Sequence, residues 1–362
     1  MRIAHLSRVR GSADGGISLI IEQLCAAQGK ITGPPDSAVS WLAPPDDLSS
    51  DLQKFRPDVV HVHGLWSAPN RFLARNRHLH AVVSPQGMLD PWALKQKPWR
   101  KKLAWKLYEK SNLARCGAVQ AVSPAELKAV REMGILSPVA ILPNAVALPE
   151  PEALAAAPEP AWRKATPQKH HLLFLSRFHQ KKGIDVLLRA WQNLAGTSER
   201  ADWHLVLAGY GDKGELAERV ARAQERGELD DVAVIGPMFG AEKTATFLAA
   251  SAFVLPSYSE GLPMAALEAM AHQLPCLLST ACNIPEAFWA GAALTAEPEL
   301  AALTASLRQL FALTSDERRA MGAAGHALVA ERFSWDHVAE QTHALYTWIL
   351  GGGDQPGFVE LQ

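Results

Sequence analysis

Residues 253–286 read FVLPSYSEGLPMAALEAMAHQLPCLLSTACNIPE. An apolar run stops at Pro256, a short loop carries Glu260, and a helix is expected to start near Pro263, because proline suits a first helical turn whose N–H groups have no intrahelical partner. Extended chain resumes at Cys276–Ser279. The order strand, loop, helix, strand is the βαβ unit of a parallel sheet. In that unit the free backbone N–H groups around Leu262 to Ala265, those of Leu262, Met264 and Ala265 beside Gly261 and Pro263, point out of the helix end, where its dipole favours an anion such as a diphosphate. Glu260 and Glu268 bracket this point. Their E-x7-E spacing puts one carboxylate in the loop and the other on the second helical turn, each able to accept hydrogen bonds from paired hydroxyls.

Working outward, short apolar runs rich in β-branched residues alternate with helical stretches along the whole chain. One series of expected strands covers Arg2–Ser7, Ala38–Leu42, Asp58–His63, Ala81–Ser84, Ala118–Val122 and Val139–Leu142. A second covers His171–Ser176, His204–Ala208, Val232–Ile235, Ala252–Leu255, Cys276–Ser279 and Ala292–Thr295. Between them the stretch ALPEPEALAAAPEPAW, with its prolines and small residues, reads as a linker. The expected fold class is therefore α/β, with two Rossmann-like doubly wound domains facing across a cleft. Residues 1–165 and 166–334 form the two domains, 335–350 a helix crossing back to the first, and 351–362 a flexible tail.

A chain of 362 residues is long enough for two such cores. Its formal net charge of -1 gives nucleic acid no global attraction. The four cysteines contain no C-x-x-C pair, which fits reduced thiols and a cytosolic compartment. The first residues lack the apolar core of a signal peptide, and no run approaches the roughly 20 residues of a membrane span.

A second strand–turn–helix, SRFHQKKGIDVLLRAW, sets Arg177 and Lys182 at a strand end just before Gly183. A planar guanidinium fork and a compact ammonium can together neutralise a departing nucleoside diphosphate. R-x4-K-G after one strand and E-x7-E after another, about 80 residues on, make the chain resemble glycosyltransferase family 4 (group 1), in particular members acting in exopolysaccharide and O-antigen synthesis. The resemblance spans nearly the whole chain and implies the GT-B architecture and a retaining, metal-independent hexosyltransferase. It implies that Arg177 and Lys182 hold the diphosphate, that Glu260 meets donor-sugar hydroxyls, and that Glu268 takes the ribose diol. Backbone groups near Pro237 and Met238 would bind the base of a UDP- or GDP-linked sugar. The wording departs from the commoner family pattern at Glu260-Gly261-Leu262-Pro263 and at Cys282-Asn283-Ile284-Pro285-Glu286.

In the first half the loop Arg10–Gly16 ends in a glycine pair that lets backbone approach a phosphate closely. It lacks the G-x-G-x-x-G spacing of nicotinamide enzymes. The resemblance implies that Gly15 and Gly16 close against the donor diphosphate and that His63, in DVVHVHG, lies near the reacting carbon. Residues 91–116 carry eight Lys and Arg against the single acid Glu109, with tryptophans interleaved. Trp92, Trp99, Arg100, Lys101, Lys102, Trp105 and Lys106 thus form a candidate face for an anionic membrane and a polyprenyl-linked saccharide acceptor. That would place the protein at the inner face of the plasma membrane. No strand-end D-x-D and no histidine spacing among His78, His80, His170 and His171 suggest a metal, so no cofactor is expected beyond the nucleotide-sugar co-substrate. Two other functions fit the same motifs: a sugar-nucleotide hydrolase or epimerase on this fold, and a non-catalytic nucleotide-sugar-binding subunit of a polysaccharide assembly complex.

Overall fold

The structure is a computed structural model that describes residues 1–8, 10, 16–31, 39–44, 46–164 and 170–361. It divides into two compact units, one formed by Met1–Ala145 with Trp335–Gln362 and the other by Val146–Ser334.

In the first unit the strands are β1 (Ile3–Leu6), β2 (Val39–Leu42), β3 (Val59–His63), β4 (Ala81–Ser84), β5 (Ala118–Ala121) and β6 (Val139–Ile141). They pair in parallel in the order β6-β5-β4-β3-β1-β2. Every residue of β1, β3, β4 and β5 is buried, as expected for strands covered on both faces. Successive strands proceed to one side from β1 to β2 and to the other from β3 onward. The order therefore reverses between β1 and β3, and loops at the carboxyl ends of such neighbours diverge to leave a crevice.

The second unit has β7 (His170–Arg177), β8 (Trp203–Tyr210), β9 (Val232–Ile235), β10 (Ala252–Leu255), β11 (Cys276–Leu278) and β12 (Ala293–Thr295), all paired in parallel in the order β12-β11-β10-β7-β8-β9. Here the reversal falls between β7 and β10. Its core runs through Leu172, Phe174, Leu205, Leu207, Phe253 and Leu277, with Trp191 and Trp203 fully buried beside the Phe311 ring.

The chain then returns to the first unit. Helix Trp335–Ile349 packs on helix Gly16–Ile31, with Leu345 and Tyr346 buried against Ile3, Val59 and Val82. β13 (Val359–Glu360) closes the β6 edge as an antiparallel strand.

Two expectations are corrected. The break between units lies at Ala145/Val146, about twenty residues before the expected 165/166 junction, which itself falls on residues outside those described. The reason is that part of the proline-rich stretch is not a linker: Trp162 is buried in the second core and donates its indole N–H to Thr246. The 351–362 tail, expected to be flexible, instead buries Val359 and is held by Arg131, whose guanidinium donates to the Glu360 carbonyl. A sheet edge left open would attract other strands, and β13 covers it.

Candidate active site

In the second unit the two motif loops meet at the reversal between β7 and β10. Arg177 ends β7 and is exposed, with no carboxylate partner among the described residues. The chain then makes a short 3-10 turn, Gln180–Lys182, before helix Ile184–Gln192. Gly183 sits between the two at φ 73°, and a Cβ there would lie 2.0 Å from the Pro256 carbonyl oxygen. Only glycine permits both that left-handed backbone and the close approach of the β10 loop. The Tyr258 N–H donates to the Lys181 carbonyl at 2.7 Å, fastening the loops a second time.

This turn aims Lys182 inward. Its Nζ lies 2.6 Å from Glu260 Oε1, with the two side chains only 10% and 7% exposed. Ser257 Oγ donates to the same carboxylate oxygen at 2.6 Å. The Glu260 N–H donates to the Ala281 carbonyl, and the Asn283 amide donates back to the Glu260 carbonyl. Asn283 adopts φ 57°, a region its short side chain tolerates, so the segment that departs from the commoner family wording here braces the Glu260 loop. The helix begins at Met264 with Pro263 as its N-cap, one residue later than expected. Gly261 and Leu262 are half-buried at its mouth. The Ala266 and Leu267 N–H groups turn back to the Pro263 carbonyl, and the first turn points its dipole along the same carboxyl edge.

Glu268 lies on that helix, and its Oε1 accepts from Lys243 Nζ at 2.6 Å. Its Oε2 is buried and has no hydrogen-bond partner among the described residues. Pro237 is exposed after β9 and Met238 packs partly against the core. The edge thus gathers Arg177, Lys182 and Lys243 with Glu260 and Glu268. His179, at the same turn, is held below the usual histidine range by burial and by the charges of Lys181, Arg177 and Lys182. Lys243, Ser257 and Asn283 were not foreseen, because a lone Lys, Ser or Asn in a helix or loop carries no spacing signal.

In the first unit His63 closes β3 and is 3% exposed. It does not stand alone: His5, His61 and His63 stack on one face of β1 and β3. His63 Nε2 is 2.9 Å from His5 Nδ1, and His5 Nε2 is 2.8 Å from Gln28 Oε1. His61 bonds Tyr346 and Ser84 at 2.6 Å each. Burial holds His5 down at about 4 and depresses His61 and His63 as well, so all three are neutral near pH 7. Their nearest ring nitrogens lie within 4.8 Å of one another, close enough to consider a metal, but five of the six ring nitrogens already have hydrogen-bond partners. Gly16 begins helix Gly16–Ile31, whereas Gly15 lies outside the described residues.

The basic segment is broken into Pro91–Leu94, Pro98–Ala104, a π-helical stretch Trp105–Glu109, and Lys110–Arg115. Trp92 and Trp99 are exposed, as are Lys102 and Lys106, and Arg100 lies over the Trp99 ring. Lys101 donates to the Ala93 carbonyl at 2.6 Å. Trp105 is corrected: it is half-buried and packs beside Trp66 as a wall of the first core, not as an exposed anchor. With Leu94, Pro98, Leu103 and Met133 these two rings line an apolar groove of about 530 Å³.

Glu109, the segment's one acid, is buried, and its carboxylate accepts the Trp66 N–H, holding Trp66 at φ 64°. Burial pushes its carboxyl up to about 8. Because the folded value exceeds the ordinary 4.5, the native state binds the extra proton, and this group's contribution to stability falls as pH rises from about 4.5 to about 8. Urea midpoints measured at pH 5 and pH 8.5 should therefore converge in Glu109→Gln relative to the parent; an unchanged difference would mean the carboxyl is ionised throughout.

With this geometry in hand, the sequence profile described as "Glycosyl transferases group 1" matches residues 160–327, and that of a "Glycosyl transferase 4-like domain" matches residues 24–145. This chain belongs to glycosyltransferase family 4, group 1. Among the relatives of this chain is the O-antigen chain mannosyltransferase B of Escherichia coli, 29% identical over 49% of this chain and 45% of its own length. A D-inositol 3-phosphate glycosyltransferase of Streptomyces scabiei is 33% identical over 48% of this chain and 40% of its own. The chain thus spans less than half the length of these curated relatives. Sucrose-phosphate synthase from Thermosynechococcus elongatus superposes with TM-score 0.73 at 19% identity, over 97% of this chain and 100% of that one. Anabaena HepE in complex with UDP-glucose does so with TM-score 0.69 at 14% identity, over 96% and 100%. These likenesses establish the GT-B fold.

Proposed function

We propose that the protein is a retaining glycosyltransferase that moves a hexose-type sugar from a UDP- or GDP-linked donor to a polyprenyl-linked saccharide acceptor in cell-surface polysaccharide synthesis, without a metal. The observation that carries this reading is the carboxyl edge at the β7/β10 reversal, where uncompensated Arg177 and the buried Lys182–Glu260 pair face the start of helix Met264–Ala271.

In this reading Arg177, Lys182 and the helix dipole stabilise the diphosphate as its bond to the sugar breaks, with backbone at Gly261–Met264 shaping the mouth. Glu260 accepts from a donor-sugar hydroxyl and Glu268, through its unpartnered Oε2, from the ribose diol. Pro237 and Met238 meet the base, Gly15 and Gly16 the diphosphate, and His63 a sugar hydroxyl. The acceptor hydroxyl attacks from the side of the leaving group, and the departing phosphate oxygen takes its proton. Relatives named as a mannosyltransferase and a D-inositol 3-phosphate glycosyltransferase, and the UDP-glucose complex of HepE, support a nucleotide-sugar donor.

The acceptor side rests on the exposed Trp92 and Trp99 with Arg100, Lys101, Lys102 and Lys106, on a face whose single acid is buried. Such a face suits peripheral attachment at a cytoplasmic, anionic leaflet. Among the described residues no helix is long and apolar enough to cross a membrane.

The test is release of nucleoside diphosphate from UDP-, GDP- and ADP-sugars, with and without a lipid-linked acceptor extract, comparing the parent with Glu268→Ala. Release by the parent from one donor supports the reading; saturable nucleotide binding with no release from any donor points to a binding subunit. For the membrane face, sedimentation with vesicles containing anionic lipid should fall at least severalfold in a Trp99→Ala, Lys102→Glu, Lys106→Glu variant and in high salt, given about 1 kcal/mol per basic residue at such a surface. Equal sedimentation of parent and variant removes the membrane from the proposal.

A further inference from the structure

The buried histidines belong to two short hydrogen-bonded runs that lie side by side, His61 in one and His5 with His63 in the other. The first starts at the Leu142 carbonyl, which can only accept, so the Gln120 group facing it at 3.1 Å is its NH2. The Gln120 carbonyl oxygen then accepts from Ser84 Oγ–H at 2.8 Å. Ser84 has spent its one proton, so its oxygen accepts from His61, which carries its proton on Nε2. His61 Nδ1 is therefore a lone pair and accepts from the Tyr346 hydroxyl. Tyr346 has no proton left to give. A second run starts at Gln28, whose carbonyl oxygen faces His5 Nε2 at 2.8 Å. His5 donates from Nε2 and offers Nδ1 as an acceptor, and His63 must donate to it from Nε2. This run ends at His63 Nδ1, a buried nitrogen with no partner among the described residues.

We propose that His5 and Gln28 are positioning residues that lock His63 in its Nε2–H tautomer, leaving Nδ1 as a one-way acceptor for a hydroxyl group of a carbohydrate ligand. The assignment of that ligand rests on the proposed role of His63 in sugar binding; the tautomer lock itself rests on the second hydrogen-bonded run. A freely tautomerising histidine would present a donor part of the time and meet the hydroxyl with the wrong polarity. The lock also accounts for the burial of a further ring, His5, which does not reach a strand end.

The experiment is long-range proton–nitrogen correlation NMR of histidine-labelled protein, which distinguishes protonated from unprotonated ring nitrogens, combined with donor kinetics. The parent should show His63 protonated at Nε2 and bare at Nδ1. His5→Leu removes the acceptor and should give His63 a mixture of tautomers, with kcat lowered on the order of tenfold or more. His5→Gln, whose amide can accept from His63 and donate to Gln28 in the original sense, should restore both the single tautomer and most of kcat. Gln28→Leu provides a second break in the run should His5→Leu fail to fold. A parent His63 protonated at Nδ1, or a tautomer unchanged in both breaking variants, overturns the lock. A lost lock in a variant that turns over donor at the parental rate leaves the run standing and removes His63 from the sugar site.

Discussion

Turnover of a Lys182→Ala variant is expected to fall by roughly a hundredfold to a thousandfold, the scale seen when one preorganised charge is taken from a developing anion. The structure adds a second expectation. Lys182 and Glu260 are a buried pair, so removing the ammonium strands a carboxylate that, among the described residues, only Ser257 then bonds with a side chain. Breaking such a pair destabilises by about 3–5 kcal/mol, whereas replacing both partners is far milder. Lys182→Ala should therefore unfold at clearly lower urea than the double variant Lys182→Met, Glu260→Leu, although both lose turnover. Arg177→Ala separates the two effects, because Arg177 is exposed and unpaired with any described carboxylate: turnover should drop by orders of magnitude with the urea midpoint unchanged. Parental turnover in either single variant would remove the diphosphate from this edge and with it the assignment.

The second large effect is structural. Gly183→Ala must place a methyl group 2.0 Å from the Pro256 carbonyl oxygen while holding φ at 73°. The left-handed backbone costs about 1–2 kcal/mol and the displaced loop about 1–3 more. Gly227→Ala shares a positive φ of 69° but meets nothing within 4 Å, so it should show the backbone cost alone. A thermal or urea comparison of the two isolates the contact between loops. Equal losses would show that the β7 and β10 loops do not bear on each other. A larger loss at Gly183, accompanied by weaker nucleotide binding, would show that this contact sets the position of Lys182.

How much of this was legible beforehand varies with the kind of signal. Both strand series were, because parallel strands buried on two faces leave dense apolar runs in the sequence. Arg177, Lys182, Glu260 and Glu268 were, since each is tied to a strand end or helix start by a short fixed spacing. Lys243, Ser257 and Asn283 come from three separate elements, and only the folded chain brings them to the same carboxylates. The histidine runs were half visible: His61 and His63 alternate on one strand, but His5, Gln28 and Tyr346 join them from positions up to 285 residues away. The burial of Glu109 was not, because it depends on a π-helical stretch that shifts the helical face. Val359 and Glu360 were taken for loose tail because two residues are too few to show a strand period.

The first unit is assembled from both sides of the second, and this has a consequence for synthesis on the ribosome. Residues 1–145 emerge first, yet the helix that covers Ile3, Val59 and Val82 and the strand that closes β6 come only after all of Val146–Ser334 has been made. At about 5–20 residues per second that intervening stretch occupies roughly ten to forty seconds. During that interval the nascent sheet has an apolar face without its cover and His61 lacks the Tyr346 hydroxyl, whereas the second unit can complete its own core. Protease challenge of ribosome-stalled chains should find residues 146–334 resistant before residues 1–145. The segment translated first is thus the one that needs guarding longest.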